Sequence, residues 1–163
     1  MSTARRRLRQ RAHTGAGLAA TDAIVLALSS CSPEIKGNTG LMLTDRGLEG
    51  AWNACPDDDL QGALLIRDSN TDRSQRIGRW ETSHPVNRAA WLIQDSTAPD
   101  GWDIWKPAPS HFEPGHVYSL FAWSEVNVTN AAGVDFEASD VDRLAVGEVL
   151  INDPTSEGVA PSP

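Results

Sequence analysis

No stretch of this chain is long and apolar enough to cross a bilayer. A spanning helix needs about 20 mostly apolar residues, and the longest clean apolar run, Ala23 to Leu28, has six. Sustained apolar positions at helical spacing are missing as well, while 13 glycines and 10 prolines interrupt the chain too often for long helices. There is no G-x-S-x-G turn to raise a nucleophilic serine and no G-x-x-x-x-G-K loop to cradle a phosphate. Lysine is scarce, with only Lys36 and Lys106, and tyrosine occurs once, at Tyr118. With two cysteines, Cys31 and Cys55, the chain can close at most one internal disulfide.

What is present is a globular composition, 40% apolar and 22% charged, in 163 residues. That is the length of one domain. Charge is unevenly placed. Five of the fourteen basic residues (Arg5, Arg6, Arg7, Arg9 and Arg11) and one of the twenty-two acidic ones (Asp22) precede Cys31. Nine basic residues against twenty-one acidic ones follow, a net charge near −12 compared with −8 for the whole chain. Such a surface repels nucleic-acid phosphates, so no nucleic-acid partner is expected.

The start reads as an export signal: a basic "RRRLRQR", an apolar "GLAATDAIVLAL" interrupted by Asp22, then small residues. Leu28-Ser29-Ser30-Cys31 resembles the bacterial lipobox, an aliphatic residue and two small ones before a cysteine. The resemblance implies that Cys31 carries a diacylglyceryl group on its sulfur and that residues 1–30 are removed. Two acyl chains give lasting attachment where one is marginal. With Cys31 lipidated, Cys55 stands alone as a small half-buried hydrophobe; the alternative is a Cys31–Cys55 bridge, which a secreted setting permits. The rival to export is a basic tail and short amphipathic helix on a cytosolic protein, a reading that Asp22 favours.

Residues 31–38 form a polar tether and 153–163 a disordered tail rich in Pro, Ser and Gly. The block 39–152 reads as β throughout. Leu41 and Leu43 share a face; Leu48, Trp52 and Ala54 alternate inward. Leu60, Leu64 and Ile66 fall on one side of the next strand and Leu65 on the other. Ile77 and Trp80 have opposite parity, so Gly78 between them marks a bulge. Ala89, Trp91 and Ile93 alternate, and "HVYSLFAWSEV" is apolar on both faces. Val134 with Phe136, and Val149 with Ile151, close the series. Eight short strands with turn signals every 8 to 15 residues predict an antiparallel β-sandwich.

One local motif sharpens this. "FEPGHVY", Phe112 to Tyr118, resembles the corner before strand F in fibronectin type III and related immunoglobulin-like sandwiches. The resemblance implies a turn at Pro114-Gly115 and a Tyr118 hydroxyl returned to the corner backbone. The wider layout is similar to small actinobacterial lipoproteins of uncharacterised function. It rests on the LSSC box, "LMLTDRGLEGAWNAC", the Pro-Gly-Tyr corner and "FEASDVDRL". It implies a place and a fold and no activity.

Candidate chemistry is thin. Asp68 to Asp72 copies the first ligand positions of an EF-hand loop, but Arg73 stands where glycine is needed and Arg79 where a bidentate glutamate is needed. A hairpin turn is expected there. His111, Glu113 and His116 lack the helix of an H-E-x-x-H site, because Pro114 and Gly115 lie among them. A zinc site from His84, His111 and His116, or a calcium site at Asp57-Asp58-Asp59, is the weaker reading beside solvated turns. No metal, cofactor or catalytic residue is expected.

Six tryptophans are the remaining feature. Four, at positions 52, 80, 91 and 123, suit strands; Trp102 and Trp105 lie in the Pro-flanked "PDGWDIWKPAP", which reads as a loop. That loop is either a lid over the sandwich end or an aromatic contact for a sugar ring or partner protein. The expectation is a membrane-tethered, extracytoplasmic, non-enzymatic binding module that meets an envelope protein or glycan through Trp102 and Trp105. A metal-dependent protein built on loop His and Asp residues, and a cytosolic or phage-associated structural protein, are the rivals.

Overall fold

The computed structural model describes residues 7–8, 37–56, 58–69, 71–96, 99–124 and 129–152. The expected lipidation point Cys31, most of the expected signal and tether, and the tail lie outside the described residues. Within them the chain is an antiparallel β-sandwich. Its strands are β1 (Arg7–Leu8), β2 (Gly37–Thr44), β3 (Gly47–Ala54), β4 (Leu60–Arg67), β5 (Gln75–Val86), β6 (Arg88–Leu92), β7 (Trp102–Lys106), β8 (Tyr118–Ser124), β9 (Thr129–Asn130), β10 (Val134–Phe136) and β11 (Val149–Leu150). One short helical turn, α1 (Ala138–Val141), joins the last two. The first sheet runs β1-β11-β2-β3-β6; the second runs β10-β8-β4-β5-β7, with β9 also on β8. β3 lies between β2 and β6, and β8 between β10 and β4.

The hairpin β2–β3 follows from its sequence. Asp45-Arg46 is a two-residue turn, Gly47 supplies φ +133°, and the Thr44 hydroxyl donates to the Gly47 carbonyl at 3.1 Å. A glycine at the turn exit takes that positive φ without a Cβ clash. The register from Gly37↔Ala54 to Thr44↔Gly47 is unbroken, so Leu41, Leu43, Leu48, Trp52 and Ala54 all face the core, as their alternation predicts. Opposite them, β6 brings Trp91 beside Gly50. A Cβ on Gly50 would lie 2.5–2.9 Å from the Trp91 ring, so this glycine is what lets the indole lie flat on the sheet.

The centre of the core is a cluster of indoles. Trp91 packs against Trp52 at 5.1 Å, Trp80 at 5.8 Å and Trp102 at 5.5 Å between ring centroids, and Trp52 meets Trp102 at 5.2 Å. These rings come from four strands and both sheets, so they tie the layers together beyond the area they bury. Thr39 adds a polar tie: its hydroxyl accepts the Ala122 N–H of the opposite sheet at 3.0 Å.

Bulges moved some faces. The β4–β5 register shifts between Leu60 and Gly62, so Leu60 and Leu65 are both buried while Leu64 and Ile66 face outward and are only half-buried. A second shift between Leu65 and Ile66 makes Ile77 the extra residue, next to the glycine expected to mark it. In β11, Leu150 opposite Leu41 is the buried residue and Val149 and Ile151 are half-buried, which reverses the expected parity. In β8 only the Tyr118, Leu120 and Ala122 face enters the core; Phe121 and Trp123 form the outer face and Val117 is exposed. β2 begins at Gly37, two residues inside the expected tether.

Candidate functional site

β7 is where the sequence reading needs correcting. Trp102 to Lys106 is not a loop: it pairs with β5 and forms the edge of the second sheet. As a strand it sends alternate side chains to opposite faces. Trp102 and Ile104 turn inward onto the core, and Trp102 is the fourth indole of the cluster. Trp102 is therefore a packing residue. Trp105 points the other way and is 68% exposed, the one aromatic among the exposed large hydrophobics of the described residues.

Trp105 is held in place despite its exposure. The β5–β7 register shifts between Arg79 and Trp80, which leaves Trp105 as the bulged residue beside Arg79 and Glu81. Its indole N–H donates to Glu81 Oε2 at 2.9 Å. The other oxygen of that carboxylate accepts Arg79 Nε–H at 2.6 Å and also Nη2–H. The Arg79 guanidinium carbon lies 5.6 Å from the Trp105 ring and 5.8 Å from that of Trp123. One cation thus stands between two indoles, with about 0.5–1 kcal/mol available per contact at an exposed site. Trp123 reaches this position because Gly62 lies beneath it: a Cβ there would be 2.8 Å from the indole and 2.6 Å from the Trp80 carbonyl oxygen. The outer face of the second sheet therefore carries Trp105, Arg79, Glu81 and Trp123 as one bonded unit. The sequence marked Trp105 alone, because the other three meet it only once the β8–β4–β5–β7 registers are known.

The chain enters β8 through Pro114-Gly115. Gly115 has φ +82°, the left-handed conformation such a turn requires. The Tyr118 hydroxyl accepts the Glu113 N–H at 2.8 Å and donates to the Glu113 carbonyl at 3.3 Å. Its ring packs against Phe112 and Phe136. Next to this corner, Asp68 takes φ +54°, its N–H donates to the Val117 carbonyl at 2.7 Å, and its carboxylate bonds His116 Nδ1 at 2.8 Å. The hydrogen bond from His116 holds the Asp68 carboxyl below its ordinary value of 3.8. So Asp68 and Thr71 belong to a turn pinned to the corner. Thr71 N–H and hydroxyl both return to the Asp68 carbonyl, in the manner of turn-forming side chains.

The corner also bounds a cavity of about 240 Å³ lined by Arg67, Ile77, Lys106, Pro107, Pro109, His111, Glu113 and Tyr118. Arg67 is tied to Glu113 at 3.1 Å and to Gln75 at 2.6 Å, yet its Nε–H is shut off from solvent with no acceptor. An unmet buried donor of this kind costs about 1–3 kcal/mol.

The metal sites weighed as weaker readings do not assemble among the described residues, where no three His, Cys, Asp or Glu side chains are grouped to hold an ion. Asp57 lies outside them, and the Asp58 N–H caps the Cys55 carbonyl at 3.0 Å in the β3–β4 turn.

Cys55 is buried and disulfide-bonded. This corrects the expectation of a lone hydrophobic cysteine; Cys31, the partner weighed for a bridge, lies outside the described residues. The chain's other cysteine is Cys31. Comparison with protein-family models, with curated proteins and with solved structures finds no match to this chain.

Proposed function

We propose that this chain is an exported, non-enzymatic binding module that works at the outer side of the cytoplasmic membrane and meets an envelope glycan through the outer face of its second sheet. The observation that carries the binding reading is Trp105: a tryptophan 68% exposed yet fixed by Glu81 and Arg79. Large aromatics usually find cover; one held rigid in solvent offers a flat apolar platform that loses little freedom on binding. The Glu81 and Asp103 carboxylates and the Arg79 guanidinium beside it suit sugar hydroxyls around a stacked ring. The acidic balance of the chain argues against an anionic ligand on this face.

Two features support export. The basic, then apolar, then LSSC sequence has the order of a signal. The disulfide at Cys55 belongs in an oxidising compartment, since cytosolic thiols are kept reduced. For Cys31 two fates exclude each other on one molecule, a diacylglyceryl thioether or a bond to Cys55, because the chain has no third cysteine. The lipobox favours the first, which tethers the domain to the membrane; oxidised Cys55 favours the second, which releases it. Removal of the leader would also remove β1, whose two residues pair only with β11, a strand that β2 already holds.

The test of binding is sedimentation with insoluble envelope polysaccharide, comparing the unaltered chain with Trp105→Ala. A hot-spot aromatic is worth about 2 kcal/mol or more, near thirtyfold in affinity. Retained folding with lost sedimentation supports the glycan reading. Undiminished sedimentation of the variant, or capture by an envelope protein and by no polysaccharide, refutes it.

A further inference from the structure

We propose that the cavity beside the tyrosine corner, which Lys106 lines and Trp105 does not, is a second binding site, and that it takes a small carboxylate with an apolar body.

The charges around it are unusual for this chain. In a protein of net charge −8, three groups able to carry positive charge, Arg67, Lys106 and His111, line one cavity against a single carboxylate, Glu113. That carboxylate is already shared by Arg67 at 3.1 Å and His116 at 3.5 Å. Lys106 pairs with no carboxylate among the described residues; its ammonium donates to the neutral Arg76 carbonyl at 2.9 Å and keeps donors to spare. Arg67 gives Glu113 one hydrogen of Nη1 and Gln75 one of Nη2, and each of these nitrogens carries a second. Two cations with unmet donors therefore flank a space whose other walls are the Tyr118 ring, Ile77, Pro107 and Pro109.

This arrangement selects the ligand by class. The Lys106 ammonium and the Arg67 guanidinium both line the space, so an anionic oxygen pair there makes charge-assisted hydrogen bonds, which are stronger than neutral ones. The apolar walls require a hydrocarbon or ring behind the charge. At about 240 Å³ the space lies below the ~300–1,000 Å³ usual for drug-sized ligands, so the occupant is small. The site stands on the β4–β5–β7 scaffold and the Pro107–Glu113 segment, and it holds whatever the fate of the Trp105 proposal.

The test is an NMR titration of the oxidised full-length chain with benzoate, its neutral analogue benzamide, and inorganic phosphate. The expected result is saturable shifts at Lys106, His111 and Tyr118 with benzoate, and at least tenfold weaker binding of benzamide and phosphate. Lys106→Gln, at an exposed position of the edge strand, lowers benzoate affinity at least fivefold, while Arg88→Gln on the other sheet leaves it unchanged. Near-UV dichroism confirms that both variants are folded. Equal binding of benzoate and benzamide, preference for phosphate, no saturable shift, or an unaffected Lys106→Gln variant would overturn the assignment.

Discussion

The Tyr118 hydroxyl and the Glu113 backbone form a two-way bond, accepting at 2.8 Å and donating at 3.3 Å, across the turn that leads the chain into β8. Both groups of Glu113 depend on that one oxygen. Tyr118→Phe keeps the ring between Phe112 and Phe136 but strands a backbone donor. We expect a loss of about 1–3 kcal/mol, read as a lower denaturant midpoint with an unchanged slope.

Gly62 carries a comparable burden for the aromatic face. An added methyl would meet the Trp80 carbonyl oxygen at 2.6 Å and the Trp123 indole at 2.8 Å. The backbone oxygen cannot swing away, so Gly62→Ala should destabilise by about 1–3 kcal/mol. It should also displace Trp123 from Arg79, which a change in tryptophan fluorescence would report.

Acid should weaken the corner in a defined window. Asp68 has a lowered carboxyl pKa in the fold, chiefly through its bond to His116. A carboxyl depressed in the folded state adds stability above its unfolded value, near 3.8, and that contribution disappears as pH falls through the folded value. Melting temperatures measured from pH 6 to pH 2 should therefore show the unaltered chain stabler than Asp68→Asn at pH 6. The gap should close below pH 3.8. A gap that is constant with pH contradicts the pairing.

The disulfide at Cys55 anchors the end of β3. Cys55→Ser should cost about 2–4 kcal/mol if that bond forms in the native protein, and the unaltered chain should lose the same amount on reduction. Equal stability of oxidised and reduced chains would show that the bond is absent.

Much of the sandwich was readable from residue order, because period-2 alternation survives wherever pairing is unbroken. Leu48, Trp52 and Ala54, then Trp91 and Ile93, then Val134 and Phe136, all lie in the core as their spacing predicts. The Tyr118 corner was readable because its motif is local. Parity failed at Leu60, where a bulge moves one side chain to the other face, and at Leu150, where β11 is too short to state its own register. β7 was misread because Pro99, Asp100 and Gly101 precede it and Pro107 follows, the punctuation of a loop, while its pairing partner lies some twenty residues away. For the same reason the Trp105–Glu81–Arg79–Trp123 unit could not be seen: it depends on the registers of three strand pairs.

Export is the claim on which the location rests, and the mass of the intact chain from its native cells, taken without reduction, tests it most directly. The account predicts a chain that has lost Arg5 through Arg11 and has no free thiol at Cys31, the sulfur there being either acylated or joined to Cys55. A chain that begins at Met1, carries two free thiols and fractionates with cytosolic proteins would contradict it.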